Sequence, residues 1–448
     1  MTYARWATKE EIISKLTPVN NNTEVRKVGT PITYDDNYLY ISDKEAHSIV
    51  IGCTGSGKTQ STILPTLRLA MMAKEPFVIN DPKGELYTKL SSRLLKEGYE
   101  VTVLNFDDAT LGNSWNPLEL PARMYKQNKD KSIKLLEDLG YYLFFDPKDS
   151  SDPFWINSTI DYFTGLALYL FENASHDEIH LSSICSLSNQ LLDEKTRDNF
   201  ISNLDKNSNI YLNLVGTLNA PMETRGSIIS VFNQKMKKYI SRENLANMLS
   251  ASDFDICELS NKQTALFIIN GHTNYCDNLI PLFVNQVVEG VNFFGKQEKT
   301  LSILLDEFDN LIPIKDFSRL ISFSRSINVR FTVVIQSYKH LETMYSKEDA
   351  EILKMCFGNI IYLLANDIYT LEEISAYCGN ELVDGNVVPL ITPEELKTMN
   401  HFEALVIMPR MMPFRTKLLP DYQTPWGYED IPNEIPQRIE NIVNNFSL

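Results

Sequence analysis

Eight residues constrain this chain more than any other feature. "GCTGSGKT" (52–59) follows directly on the apolar run "HSIVIG" (47–52). Gly52, Gly57, Lys58 and Thr59 fill every fixed position of the pattern G-x-x-x-x-G-K-[ST]. The pattern works between a buried strand and the start of a helix, where unpaired backbone N–H groups already favour an anion. Across Thr54, Gly55, Ser56 and Gly57, the two glycines let the backbone curl around a phosphate. Lys58 then suits the β- and γ-phosphates of ATP, and the Thr59 hydroxyl suits Mg2+. Pro65 lies seven residues into the helix that should follow, and it predicts a kink or a shortening there.

A strand–loop–helix unit implies a parallel sheet, and the flanking sequence agrees. "PFVIND" (76–81) and "YEVTVLNF" (99–106) read as further strands, with helical spacing between. From about residue 122 to 245 the texture changes. "KSIKLLEDLGYYLF", "STIDYFTGLALYLF" and "RGSIISVFNQKMKKYI" carry helical spacing with almost no strand-like alternation. Strands then resume at "QTALFIING" (263–271), "TLSILLDEF" (300–308), "VRFTVVIQS" (329–337), "NIIYLLAN" (359–366) and "FEALVIMP" (402–409). The predicted fold is α/β: a P-loop nucleotide-binding domain with a mostly parallel sheet and an inserted all-α domain. The expected divisions are an irregular lead-in over 1–30, the nucleotide-binding domain over 31–121 and 246–448, and the all-α domain over 122–245.

A P-loop requires a carboxylate at the end of a nearby strand to hold the metal. "LSILLDEF" supplies Asp306 for the metal and Glu307 as general base for the attacking water. Asp81 and Glu85 in "INDPKGE" are weaker candidates, since Asp-Pro also starts turns. Gln336 ends an apolar strand and is placed to sense the γ-phosphate. Arg325 and Arg330 precede that strand. Each reads either as a surface ion-pair former or as a stabiliser of transition-state charge, and spacing alone does not choose.

A net charge of −16 excludes a protein that coats nucleic acid with its whole surface, so contact with DNA requires a local basic lining. The cluster Arg123, Lys126, Lys129, Lys131 and Lys134 is interleaved with acids and reads as a solvated face. The six cysteines include no CxxC pair, which predicts a reduced, cytoplasmic chain without a zinc site. The apolar run Phe163 to Phe171 is far shorter than the ~20 residues of a membrane span, so the chain as given reads as soluble.

Taken together, "GCTGSGKTQSTILPTL", "INDPKGELY", "DPFWINSTIDYFTGLALYL", "LLDEFDNLIPI" and "SRSINVRFTVVIQS" resemble the type IV secretion and conjugation coupling proteins, the TraG/TraD-like P-loop ATPases. The resemblance extends almost end to end. It implies a RecA-like fold, ATP with Mg2+, and a pump that moves a relaxase–single-stranded DNA substrate into a type IV secretion channel. It further implies a homo-hexamer with ATP between subunits, relaxosome proteins at the all-α domain, and channel components as neighbours. Residue by residue, it gives Lys58 and Thr59 to nucleotide and Mg2+, Asp306 and Glu307 to hydrolysis, and Gln336 to sensing. Asp81 becomes nucleotide-proximal, and Arg325 falls where a finger acting in trans would lie. The family usually carries N-terminal membrane helices. The expected place is therefore the cytoplasmic face of the cell membrane, through an anchor absent from this chain. Two other readings stand beside this one: an FtsK-like double-stranded DNA translocase, and a nucleotide-binding adaptor that recruits substrate without pumping.

Overall fold

The computed structural model describes residues 3–20, 22–146, 152–271, 276–295 and 298–448. The chain forms two units: residues 1–101, 257–269 and 291–434 in one, and 102–256, 270–290 and 435–448 in the other.

The first unit opens on a small antiparallel sheet. Strands β1 (Thr17–Val19), β2 (Thr30–Asp35) and β3 (Tyr38–Ser42) lie in the order β1-β3-β2. The lead-in is therefore less irregular than its polar sequence suggested, because β1 pairs with β3 across 20 residues. The β2–β3 hairpin, missed in the sequence, turns at Asp36 and Asn37, both at positive φ (47° and 67°). Such primed turns suit the twist of paired strands and favour Asn and Asp.

The main sheet follows: β4 (His47–Gly52), β5 (Phe77–Asn80), β6 (Glu100–Asn105), β7 (Thr264–Ile269), β8 (Leu301–Leu305), β9 (Val329–Ile335) and β10 (Phe357–Leu364). After the hairpin of β11 (Asn380–Val383) and β12 (Asn386–Pro389), β13 (Glu403–Ile407) and β14 (Phe414–Lys417) complete it. Within this unit the order is β14-β13-β10-β4-β9-β8-β5-β7, and β6 starts beside β7, where the Glu100 N–H donates to the Gln263 carbonyl (2.9 Å). Strands β10, β4, β9, β8, β5 and β7 run parallel. β13 and β14 are antiparallel additions at one side. Every residue of β4, β5, β7, β8 and β9 is buried. That is why these strands read as largely apolar runs in place of regular alternation.

The helix after the P-loop accommodates Pro65 in an unexpected way. Thr59–Ile63 is a π-helical turn, in which the Leu64 N–H donates to the Thr59 carbonyl, and a regular helix begins at Leu64 (Leu64–Ala73). Proline lacks an N–H and clashes with the carbonyl four residues back. The wider turn moves that carbonyl away and makes Pro65 a first-turn residue, where it costs little.

The second unit is helical: Glu119–Tyr125, Lys129–Phe144, Pro153–Asn173, Leu181–Gln190, Glu194–Asn203, Asn209–Leu218, Met222–Ile240 and Glu243–Met248. Its core holds Tyr142, Phe144, Tyr162, Phe163, Leu166 and Phe232, with Phe144 and Phe163 edge to face at 5.6 Å. Gly165 lets two helices meet, because a Cβ there would stand 2.5 Å from Leu214 Cγ. Of the basic cluster, Arg123, Lys129 and Lys134 are ion-paired with Asp255, Glu172 and Asp138, as on an ordinary solvated face. This unit also takes in 102–121, 246–256, 270–290 and the last 14 residues, beyond the expected 122–245. The chain end is held there by Arg438, which donates to the Ala109 carbonyl (2.8 Å) and Asn247 Oδ1 (2.7 Å). Nothing in a turn-rich acidic tail signals in sequence which surface will satisfy its backbone. No helix among the described residues is long and apolar enough to cross a membrane.

Candidate nucleotide site

Parallel strands deliver their C-terminal ends to one edge of a sheet, and ligands of open α/β folds bind there. At this edge a cleft of about 390 Å³ is lined by Thr54, Gly55, Gly57, Lys58, Thr59 and Gln60 after β4. Asp306, Glu307 and Asp309 after β8, and Gln336 after β9, complete the same cleft. Residues 250 positions apart thus converge because β4, β9 and β8 are consecutive in the sheet.

The Thr59 hydroxyl lies 3.5 Å from Asp306 Oδ2. The other Asp306 oxygen accepts the Glu307 N–H (2.9 Å), and Asn80 Nδ2 donates to the Asp306 carbonyl (2.9 Å). Asp306 is 8% exposed, and burial raises its carboxyl pKa. A buried carboxylate facing a hydroxyl at a phosphate loop suits a hard cation, which takes one or two protein oxygens and leaves the rest to water and phosphate. The donor set fits magnesium. Lys58 Nζ donates to the Gly52 and Cys53 carbonyls, and burial lowers its pKa while Asp306 and Asp309 oppose the shift.

Glu307 sits at φ +50°, a left-handed conformation uncommon for a non-glycine residue. Its Oε2 accepts from Asn310 Nδ2 (3.1 Å). Strain of this kind costs on the order of 1–3 kcal/mol and concentrates at functional sites. Asp309, which the sequence reading passed over, ties this loop to the next strand. Its Oδ2 accepts the Gln336 N–H (2.8 Å) and also meets His340 Nδ1 (3.0 Å). The only signal for Asp309 was its place three residues past Asp306.

Other expected residues lie outside the cleft lining. Ser56 is buried, and its hydroxyl has no hydrogen-bond partner. Asp81 is buried, and its Oδ2 accepts the Tyr87 N–H (2.9 Å) at the start of the Glu85–Lys96 helix. Burial, with the Asp306 charge adding to it, pushes the Asp81 carboxyl up to about 6. Arg325 is exposed and begins a short turn before β9. Because β9 carries Gln336 at its far end, Arg325 stands about 20 Å from its own cleft. Arg330 is not a free arginine. It is buried and donates to the Val28 carbonyl and, at 3.1 Å, to the Asp43 carbonyl. A guanidinium spent on backbone carbonyls is unavailable to a phosphate. Lys83, in the "INDPKGELY" stretch, also lines the cleft, as do His401, Phe402 and Tyr422, which no motif marked.

Comparison with known proteins matches residues 2–387 to the family model described as type IV secretory system conjugative DNA transfer. The type IV secretion system-coupling protein VirD4 of Bartonella quintana (strain Toulouse) is 22% identical over 360 residues, 75% of this chain and 53% of VirD4. The chain spans about half the length of the curated relatives it matches. Among solved structures, the plasmid coupling protein TrwB in complex with ADP and Mg2+ aligns with a TM-score of 0.70 at 14% identity, covering 98% of this chain and 97% of TrwB. VirB4 of Thermoanaerobacter pseudethanolicus aligns at 0.52 and 14% identity, covering 90% and 98%. The fold is thus a RecA-like α/β domain with a helical domain, as the sequence implied.

Proposed function

Because the chain belongs to the type IV secretory system conjugative DNA transfer family, we propose that it is a coupling protein: an ATPase that recruits a relaxase–single-stranded DNA substrate and drives it into a type IV secretion channel. The observation that carries this reading is the meeting of Thr59 and Asp306 at 3.5 Å in a cleft shared by Lys58, Glu307 and Gln336. The loop N–H groups of Thr54 to Gly57 hold the phosphates of ATP. Lys58 exchanges its two carbonyl partners for the β- and γ-phosphates. Thr59 and Asp306 would hold Mg2+, which would neutralise phosphate charge there. Glu307 accepts the proton of the attacking water. Gln336, its backbone N–H held by Asp309, serves as the γ-phosphate sensor. Asp81 supports the site.

Arg325 is too far from its own cleft and serves a neighbour's in a ring; the family resemblance implies that this ring is a hexamer with single-stranded DNA in its channel. The helical unit takes the relaxase, and the ring works at the cytoplasmic face of the membrane. ATP turnover, measured with and without single-stranded DNA on chain held as hexamers, tests the reading. DNA-stimulated hydrolysis is expected. Hexamers that bind ATP but never hydrolyse it would leave only an adaptor.

A further inference from the structure

The helical unit holds a feature that neither the nucleotide cleft nor the unit's own core requires. Residues 438–448 belong to this unit and have no secondary structure of their own. Side chains of the unit hold them by the main chain. Asn247 Oδ1 accepts the Asn441 N–H (2.9 Å), and Asn247 Nδ2 donates to the Asn441 carbonyl (2.8 Å). His180 Nδ1 accepts the Ser183 N–H (3.3 Å), which leaves Nε2 to donate to the Asn444 carbonyl (3.0 Å). Ser183 Oγ accepts the Phe446 N–H (3.1 Å), and Ser186 Oγ donates to the Phe446 carbonyl (3.1 Å). The Gln190 amide donates to that same carbonyl (3.3 Å) and accepts the Leu448 N–H (2.9 Å).

His180, Ser183, Ser186 and Gln190 follow one another at intervals of three or four, so they form a polar row on one face of the Leu181–Gln190 helix. His180 and Ser183 are buried. Burying polar groups without partners is costly, so a main chain laid over the row is what makes it tolerable. The row contacts residues 444, 446 and 448, the period of an extended chain. Gln190 spans the Phe446 carbonyl and the Leu448 N–H as one residue of a parallel strand would.

These contacts use groups that every residue has, so they select conformation and not sequence. Sequence enters at one side chain. Phe446 is 8% exposed and meets the Tyr169 ring edge to face at 6.1 Å. Ile439 and Ile442, by contrast, are 84% and 88% exposed, so they do not fasten the segment. Leu448 reaches a cavity of about 490 Å³ lined also by Tyr169, Phe200, Ile210, Asn173, Asn199 and Asn203. The groove therefore continues beyond the part that this segment fills.

We infer that this groove is a peptide-binding site of the helical unit and that residues 441–448 are its tethered occupant. The partner it fits is an extended segment of a second protein, read by its main chain and by one aromatic residue in the place of Phe446. Arg438 fixes the start of the occupant and keeps it near the groove. A short tether holds a ligand at an effective concentration of millimolar order, so an outside segment enters only by displacing the resident one. No residue of the phosphate loop takes part, and the site is independent of the nucleotide reading.

The test titrates the full chain against a fluorescein-labelled peptide of residues 438–448, RIENIVNNFSL, followed by anisotropy. Losing a buried aromatic anchor weakens a contact about 30-fold, so Phe446→Ala chain should release its own segment and bind the peptide about 30-fold more tightly than wild type. The peptide carrying Phe446→Ala should not bind. Adding Gln190→Ala to the Phe446→Ala chain should weaken the intact peptide about 10-fold, the effect of two hydrogen bonds. Equal affinity for wild type and Phe446→Ala chain overturns the site, and so does a Gln190→Ala change without effect. Hydrogen exchange on wild type needs no substitution. The Phe446 and Leu448 amides should exchange at least about 10-fold faster than amides inside the Leu181–Gln190 helix, because an occupant that leaves exposes them while the unit stays folded. Equal protection, or a peptide that binds neither chain, makes the segment a fixed part of the fold and overturns the inference.

Discussion

His47 opens the strand that carries the P-loop, and its environment makes a quantitative pH prediction. The side chain is buried, and its Nδ1 accepts the Phe331 N–H (3.0 Å). Burial, helped by the charges of Arg330 and Arg325 and opposed by the nearby Ile321 carbonyl, lowers its pKa to about 4 from 6.5. Protonation would also place a hydrogen on Nδ1 and break the bond from Phe331. The folded pKa is therefore depressed, and the sign follows. Above pH 6.5 both folded and unfolded chains hold a neutral ring, and the stability is fully present. As pH falls from 6.5 toward 4, the unfolded chain takes a proton that the folded chain refuses, and stability is lost. The full difference is about 3 kcal/mol, at 1.36 kcal/mol per pKa unit, and about 2 kcal/mol of it is lost by pH 5. His47→Asn keeps an acceptor for Phe331 but cannot titrate. Urea unfolding of both proteins at pH 7.5, 6 and 5 isolates the residue, since every other group titrates alike in the two. The variant should gain on wild type by about 2 kcal/mol between pH 7.5 and 5. Parallel losses in both proteins would refute the reasoning.

In the proposed nucleotide cleft, Lys58→Ala should weaken ATP binding and turnover together. Glu307→Gln should bind ATP and hydrolyse it roughly 10²–10⁴-fold more slowly; a wild-type rate in a single-turnover assay removes Glu307 as the base. If the proposed ring forms, mixing inactive Arg325→Ala subunits with inactive Lys58→Ala subunits should restore part of the ATP turnover, because some interfaces then pair an intact finger with an intact loop. A finger in trans contributes about 10³–10⁵ in rate, so normal turnover by Arg325→Ala hexamers alone disposes of that role. Asp421→Ala leaves the buried Arg68 guanidinium with Asp430 as its remaining charged partner and should lower unfolding free energy by about 3–5 kcal/mol. A loss under about 1 kcal/mol in denaturant titration would mean that the pair is idle.

Local chemistry by itself determined the phosphate half of the site. A glycine loop between a buried strand and a helix has one workable geometry, and Asp306 and Glu307 end a strand too apolar to lie anywhere but inside a sheet. The parallel fold and the helical insertion were equally legible, since burial on both faces leaves continuous apolar runs and a helical core leaves a 3.6-residue period. What lies across the cleft was decided only by tertiary structure. His401, Phe402 and Tyr422 belong to the connections around two antiparallel strands more than 340 residues from the P-loop, and strand order, which has no local signature, brings them beside it. The same holds for Arg325 and Arg330, which are indistinguishable in sequence. Arg330 is a strand residue whose side chain is buried against backbone carbonyls, whereas Arg325, five residues earlier, sits in an exposed turn. A π-turn, not a kink, absorbs Pro65, because backbone register adjusts to a missing N–H at less cost than displacing a buried helix. Sequence specifies which groups must be satisfied; which partners satisfy them is fixed when distant segments pack.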